Sequence, residues 1–229
     1  MDAVTILGIS NRTENWRTAR YFAPFIECDS ARAVLAQRLG EPEDTPSRDI
    51  QIELFWKGMR DYLERESLKA GELSDCFAQS YRNHFYSLRE AIEGFRGFNN
   101  LKDCNYDASH SDKLSDNLAR TEIDIVLQTP RHLFIGEAKD EGDLGTNRAY
   151  VLVHQMIRQY VMARILIDLI SSNKTVIAFI VGNAGKIASL TRTTQVKFMI
   201  SKGWMKEQNV LSWNEIGEIA EAGLPQHLG

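Results

Sequence analysis

Residues 121–139, Thr-Glu-Ile-Asp-Ile-Val-Leu-Gln-Thr-Pro-Arg-His-Leu-Phe-Ile-Gly-Glu-Ala-Lys, constrain the fold more than any other stretch. Ile123, Ile125 and Leu127 alternate with Asp124, Val126 and Gln128, the period-2 pattern of a strand. Leu133, Phe134 and Ile135 lead a second apolar run into Gly136, Glu137, Ala138 and Lys139. Thr129-Pro-Arg-His132 lies between them, with Pro130 suited to the second position of a β-turn. A turn centred between Pro130 and Arg131 sets Asp124 opposite Glu137 and Glu122 opposite Lys139. The other face then carries Ile123, Ile125, Leu127, Phe134, Gly136 and Ala138 and no charge, so it is expected to be core. A slip of one residue would send every side chain to the wrong face, so the register carries the whole reading.

Two carboxylates opposed across a strand pair repel each other and cost stability. A divalent cation between them would turn that cost into a site, and an adjacent lysine would complete a centre able to hydrolyse a phosphodiester. The alternative is a solvated strand end with a surface ion pair, Glu137–Lys139 or Glu122–Lys139. Of the two, Glu122 is expected to pair with Lys139 and not to bind metal.

The motif Asp124 in Ile-Asp-Ile-Val-Leu, with Glu137 and Lys139 in Phe-Ile-Gly-Glu-Ala-Lys, resembles that of the PD-(D/E)xK nuclease superfamily. Gln155 and Tyr160, in His-Gln-Met-Ile-Arg-Gln-Tyr, are similar to the polar signature on the helix after the motif in several branches. Ile123 stands where the family's first motif has proline. The resemblance covers residues 120–182. It implies a restriction-endonuclease-like α/β fold, a central mixed sheet flanked by helices, here with a mainly helical N-terminal half. It also implies Mg²⁺, with Mn²⁺ as a substitute, held by Asp124, Glu137 and the main-chain carbonyl of Ala138. Lys139 would then orient or deprotonate a water or contact the phosphate, and Gln155 would hold water or phosphate. Many members add a carboxylate from an N-terminal helix; Glu14, Glu53, Glu90 and Glu93 all compete for that place.

The chain of 229 residues reads as one domain: residues 1–100 mainly helical, 118–182 the core motif, 183–229 a C-terminal α/β extension. A helix is expected from Thr13 to a stop near Pro24, a strong one over Ile50–Leu68 and a long amphipathic one over Tyr150–Ile170. Further helices are expected between Leu73 and Phe95, and a long polar loop over 99–117. Thr175–Val181 is apolar throughout, as in the centre of a covered sheet.

No apolar run is long enough for a membrane span. Three scattered cysteines, Cys28, Cys76 and Cys104, suit reduced thiols in a cytoplasmic setting and no zinc site. The net charge of −4 hides an asymmetry. The first 116 residues hold 15 basic and 20 acidic side chains, while Leu144–Lys206 holds nine basic and one acid, Asp168. A basic half beside an acidic metal site suits attraction of phosphates to anionic ligands. The expected activity is metal-dependent hydrolysis of DNA, with a homodimer as one route to double-strand cutting. A non-catalytic nucleic-acid- or partner-binding module on the same fold is the alternative.

Overall fold

The computed structural model describes residues 5–6, 9–10, 13–68, 116–140, 144–145 and 154–225. A short ladder pairs β1 (Thr5–Ile6) with β2 (Ile9–Ser10). Two helices follow, α1 (Thr13–Glu27) and α2 (Asp29–Leu39). Pro24 does not stop α1, which runs on to Glu27. Proline removes one helical N–H without forbidding a final turn beyond it. Gly40 ends α2 at φ 111°, a left-handed cap that glycine adopts without strain.

The expected helix over Ile50–Leu68 is corrected. Its first half is strand β3 (Gln51–Trp56) and only Gly58–Arg65 is helical (α3). Ile52, Phe55, Trp56, Met59 and Leu63 fit a helical stripe on paper, but Ile52, Leu54 and Trp56 also alternate. Pairing with a hydrophobic neighbour decides between the two: β3 lies antiparallel to β4 (Ile123–Gln128), from Gln51↔Gln128 to Trp56↔Ile123. Phe55, at φ 56°, interrupts the pairing one residue before Trp56↔Ile123.

Five strands form one mixed sheet in the order β3-β4-β5-β6-β7, where β5 is His132–Lys139, β6 Thr175–Gly182 and β7 Met205–Ser212. The first three are antiparallel and the last three parallel. Helix α4 (Gln155–Leu169) makes the crossover from β5 to β6. Helices α5 (Ala184–Arg192) and α6 (Thr194–Ser201) connect β6 to β7, and α7 (Trp213–Gly223) closes the fold with a Ser212–Glu215 capping box. Strand β7, within the segment expected as a C-terminal α/β extension, belongs to the same sheet.

Two cores cover the sheet. Val126, Leu133, Ile135, Ala178 and Ile180 pack against α3, α4 and α6 on one face. Ile125, Leu127, Phe134, Phe179 and Val181 pack against α1, α2 and α7 on the other. Ile123, expected to share a face with Ile125 and Leu127, belongs to the first core. Helix α4, expected to be amphipathic, is buried around almost its whole girth from Met156 to Ile167, and Ile170 just beyond its end is exposed. Gly136 has a steric reason: a Cβ there would stand 2.2 Å from Cζ of Phe179. The helices expected over Leu73–Phe95 and most of the polar stretch 99–117 lie outside the described residues, as do Glu90, Glu93, Cys76 and Cys104.

Candidate metal centre

The register of the β4–β5 hairpin is as the turn requires: Ile125↔Gly136, Val126↔Ile135, Leu127↔Phe134 and Gln128↔Leu133. The pairing ends at Ile125–Gly136, one residue short of Asp124. In place of a ladder bond, the Asp124 side chain accepts the Ala138 N–H at its Oδ2, 2.9 Å away. Asp124 therefore reaches across to β5, where Glu137 and Lys139 stand near the carboxyl end of the strand. Open α/β sheets place their sites at such strand ends.

Glu14, in the first turn of α1, supplies the third carboxylate. Its Oε1 lies 3.3 Å from Lys139 Nζ, and its Oε2 accepts the Asp140 N–H at 3.3 Å. One oxygen each from Glu14, Asp124 and Glu137 lies within 4.8 Å of the others. Lys139 Nζ also stands 2.5 Å from Glu137 Oε1, so a single ammonium serves two acids. Of the two candidate N-terminal glutamates among the described residues, Glu14 is brought here, while Glu53 is exposed on the edge strand β3.

The electrostatics are unbalanced. Burial, and then the neighbouring Glu137, push the Asp124 carboxyl well above its usual range. Burial also pushes Glu137 up, against the pull of Lys139 and Gln159. Burial pulls Lys139 down, but Glu137, Glu14 and Asp124 together outweigh it and hold the ammonium above its usual value.

Two amides from α4 close the far side. Gln155 Nε2 donates to Glu137 Oε1 at 2.6 Å, and Gln159 Nε2 donates to Oε2 at 2.6 Å. Gln155 was anticipated from the sequence, whereas Gln159 was missed. The signal for Gln159 was its i,i+4 spacing from Gln155, which sets both on one helix face. Tyr160 points elsewhere: its ring stacks on Trp204 at 4.2 Å, and burial raises its phenol to about 12.

Glu122 also departs from expectation. Its Oε2 lies 3.1 Å from Lys57 Nζ, away from Lys139. The strands have parted before the pairing could reach it. Beyond the acids, Asp140 is held by Arg17 of α1 and accepts the Asn183 amide at 2.6 Å. These three residues join α1, β5 and the start of α5 at the rim, and nothing in their sequence separation announced it.

Three carboxylates of two buried strands and a helix, with one shared lysine, form an all-oxygen donor set of net negative charge. Hard divalent cations such as Mg²⁺ and Mn²⁺ take such donors. Comparison with protein-family models, curated proteins and solved structures finds no match for the chain.

Proposed function

We propose that this protein is a metal-dependent nuclease of the PD-(D/E)xK kind that hydrolyses DNA phosphodiesters with water. The observation that carries the reading is the approach of Glu14, Asp124 and Glu137 to within 4.8 Å around one lysine, at the end of the central strands. Burying like charges this way is expensive, and perturbed carboxyl groups in such a setting mark functional sites. The motif resemblance at Asp124, Glu137 and Lys139 supports the same reading, as does the basic excess over 144–206.

The donor set fits Mg²⁺ or Mn²⁺, with Asp124, Glu137 and Glu14 as side-chain ligands and the Ala138 carbonyl as the ligand the resemblance implies. When bound, the cation lowers the pKa of a water and offsets charge that develops on the phosphate. Its acidic neighbours favour the protonated form of Lys139, which acts as a donor. It orients the attacking water or binds a phosphate oxygen. Gln155 and Gln159 keep the Glu137 carboxylate in place. The attack forms one P–O bond and breaks another, leaving a phosphate monoester and a hydroxyl. Described helices include none long and apolar enough to cross a membrane.

The test is cleavage of supercoiled plasmid and labelled single- and double-stranded oligonucleotides in Mg²⁺, Mn²⁺ or EDTA. Cutting that needs the metal and disappears in Asp124→Ala, Lys139→Ala and Glu14→Gln establishes the site. The absence of cutting on every substrate, with no stabilisation of the fold by Mn²⁺, rejects it and leaves a binding module.

A further inference from the structure

The Glu137 carboxylate is wholly enclosed, yet two of the groups that enclose it are neutral amides from one helix. Lys139 and Gln155 both reach Oε1, at 2.5 and 2.6 Å. Oε2 is engaged by Gln159 at 2.6 Å. A carboxylate oxygen offers about two lone-pair directions. Oε1 is therefore full, and Oε2 keeps one direction.

Both amides are fixed by a second bond. Gln155 Oε1 accepts the Gly145 N–H at 3.2 Å. Gln159 Nε2 also donates to the main-chain carbonyl of Glu122, 3.0 Å away. Glu122 leads into β4, past the point where the β4–β5 ladder ends at Ile125–Gly136. Gln159 thus bridges the opening between the two strands where the acids sit, tying the lead of one to the carboxylate of the other. Gln159 is itself buried, 2 % exposed.

Resting on the metal-site reading above, we infer that Gln159 is a positioning residue: its bond to Oε2 keeps the Glu137 carboxylate from turning, so that one oxygen faces the site, and so sets cation choice. Mg²⁺ and Mn²⁺ suit a compact octahedron with single-oxygen carboxylates, whereas Ca²⁺ takes more ligands and accepts both oxygens of one carboxylate. Lys139 and Gln155 occupy Oε1, and Gln159 stops the carboxylate from turning to present both oxygens, which withholds the second mode. Groups that orient a ligand from behind commonly change metal affinity by about ten- to a hundredfold when removed.

The experiment is calorimetric titration of Mn²⁺ and of Ca²⁺ into the metal-free full chain, for wild type, Gln159→Met and Gln159→Asn. Methionine keeps length and packing without a donor, and asparagine keeps the amide but is too short to reach Glu137. Melting in EDTA confirms that each variant is folded. The expected result is Mn²⁺ binding weakened about tenfold or more, with Ca²⁺ weakened much less, so that the Mn²⁺/Ca²⁺ preference falls by about tenfold. Equal weakening of both ions, or no change in either, overturns the assignment while leaving the metal site standing. Wild type that binds neither ion removes the metal site and this inference together.

Discussion

At the turn end of the β4–β5 hairpin, Glu41 is buried with a partner at each oxygen. Oε1 accepts from Thr45 at 2.7 Å, and Oε2 meets Thr129 at 2.7 Å and His132 Nδ1 at 2.5 Å. At the open end, the half-buried Asp124 and the buried Glu137 face each other, and one lysine stands among three acids. Burial works against both. At Glu41 the bonds from His132, Thr129 and Thr45 win, and the carboxyl is held below its usual range. At Asp124 burial and Glu137 win, and it is held above. The hairpin therefore carries a mutually satisfied polar cluster at one end and acids in conflict at the other. Acids that a fold leaves in conflict point to a functional site more than to a source of stability.

The sharpest way to break this comparison is to exchange the roles. Lys139→Ala and Asp124→Asn are expected to lower cleavage by about a hundredfold or more. Glu41→Gln is expected to cut at close to the wild-type rate at any temperature where it is folded. Rates on supercoiled plasmid at saturating Mn²⁺ decide it, and a Glu41→Gln protein as inactive as Lys139→Ala would erase the distinction.

Stability should run the other way. Glu41→Gln breaks a buried charged cluster and is expected to cost about 3 kcal/mol. Asp124→Asn can still accept the Ala138 N–H, and it removes one of two opposed charges. In EDTA it is expected to be neutral or stabilising, as substitutions at strained sites commonly are. Urea unfolding monitored by circular dichroism measures both. A loss at Asp124→Asn as large as at Glu41→Gln would mean that the acidic cluster holds the fold together.

The pH dependence follows from the same contrast. Asp124 and Glu137 have folded-state values above their unfolded ones, so between the two the folded protein binds more protons. Their contribution to stability is present at low pH and is lost as pH rises through that interval, at up to about 1.4 kcal/mol per pH unit for each titrating proton. Glu41 has the opposite sign: its contribution is present above the usual carboxyl range and is lost as pH falls through its lowered value. Metal-free wild type should therefore gain less stability between about pH 4 and 7 than Asp124→Asn. Saturating Mn²⁺, at 100 times its Kd, should restore about 2.7 kcal/mol to wild type. Identical pH profiles for the two proteins in EDTA would contradict the raised Asp124 value.

Much of this was legible before the fold was known, and the misses have a common cause. The Pro130 turn and the alternation around it fixed the register from Ile125–Gly136 to Gln128–Leu133, because both signals are local. The α/β order and the buried strand Thr175–Gly182 came from the same kind of pattern. Glu14 could not be chosen over Glu53, because that depends on how α1 docks more than a hundred residues from its partners. The Gln51–Trp56 strand was hidden because its apolar residues satisfy two periods at once, and only the neighbour β4 breaks the tie. Gln159 was passed over for Tyr160, yet the helix turns Gln159 with Gln155 toward Glu137 and Tyr160 toward Trp204.

The smallest expected effect concerns Glu122, which sits at the edge of the open end without belonging to it. Its carboxylate pairs with Lys57 at 3.1 Å, and both side chains are about a third exposed (34 % and 37 %). Solvent screens such a pair, and its loss typically costs less than about 1 kcal/mol. What Glu122 gives the site is its main-chain carbonyl, which accepts from Gln159 and survives any side-chain change. Glu122→Gln should therefore keep cleavage within about twofold and move stability by under about 1 kcal/mol. A large loss of activity in that variant, with the fold intact, would extend the acidic cluster to a fourth carboxylate and redraw the boundary between the two ends of the hairpin.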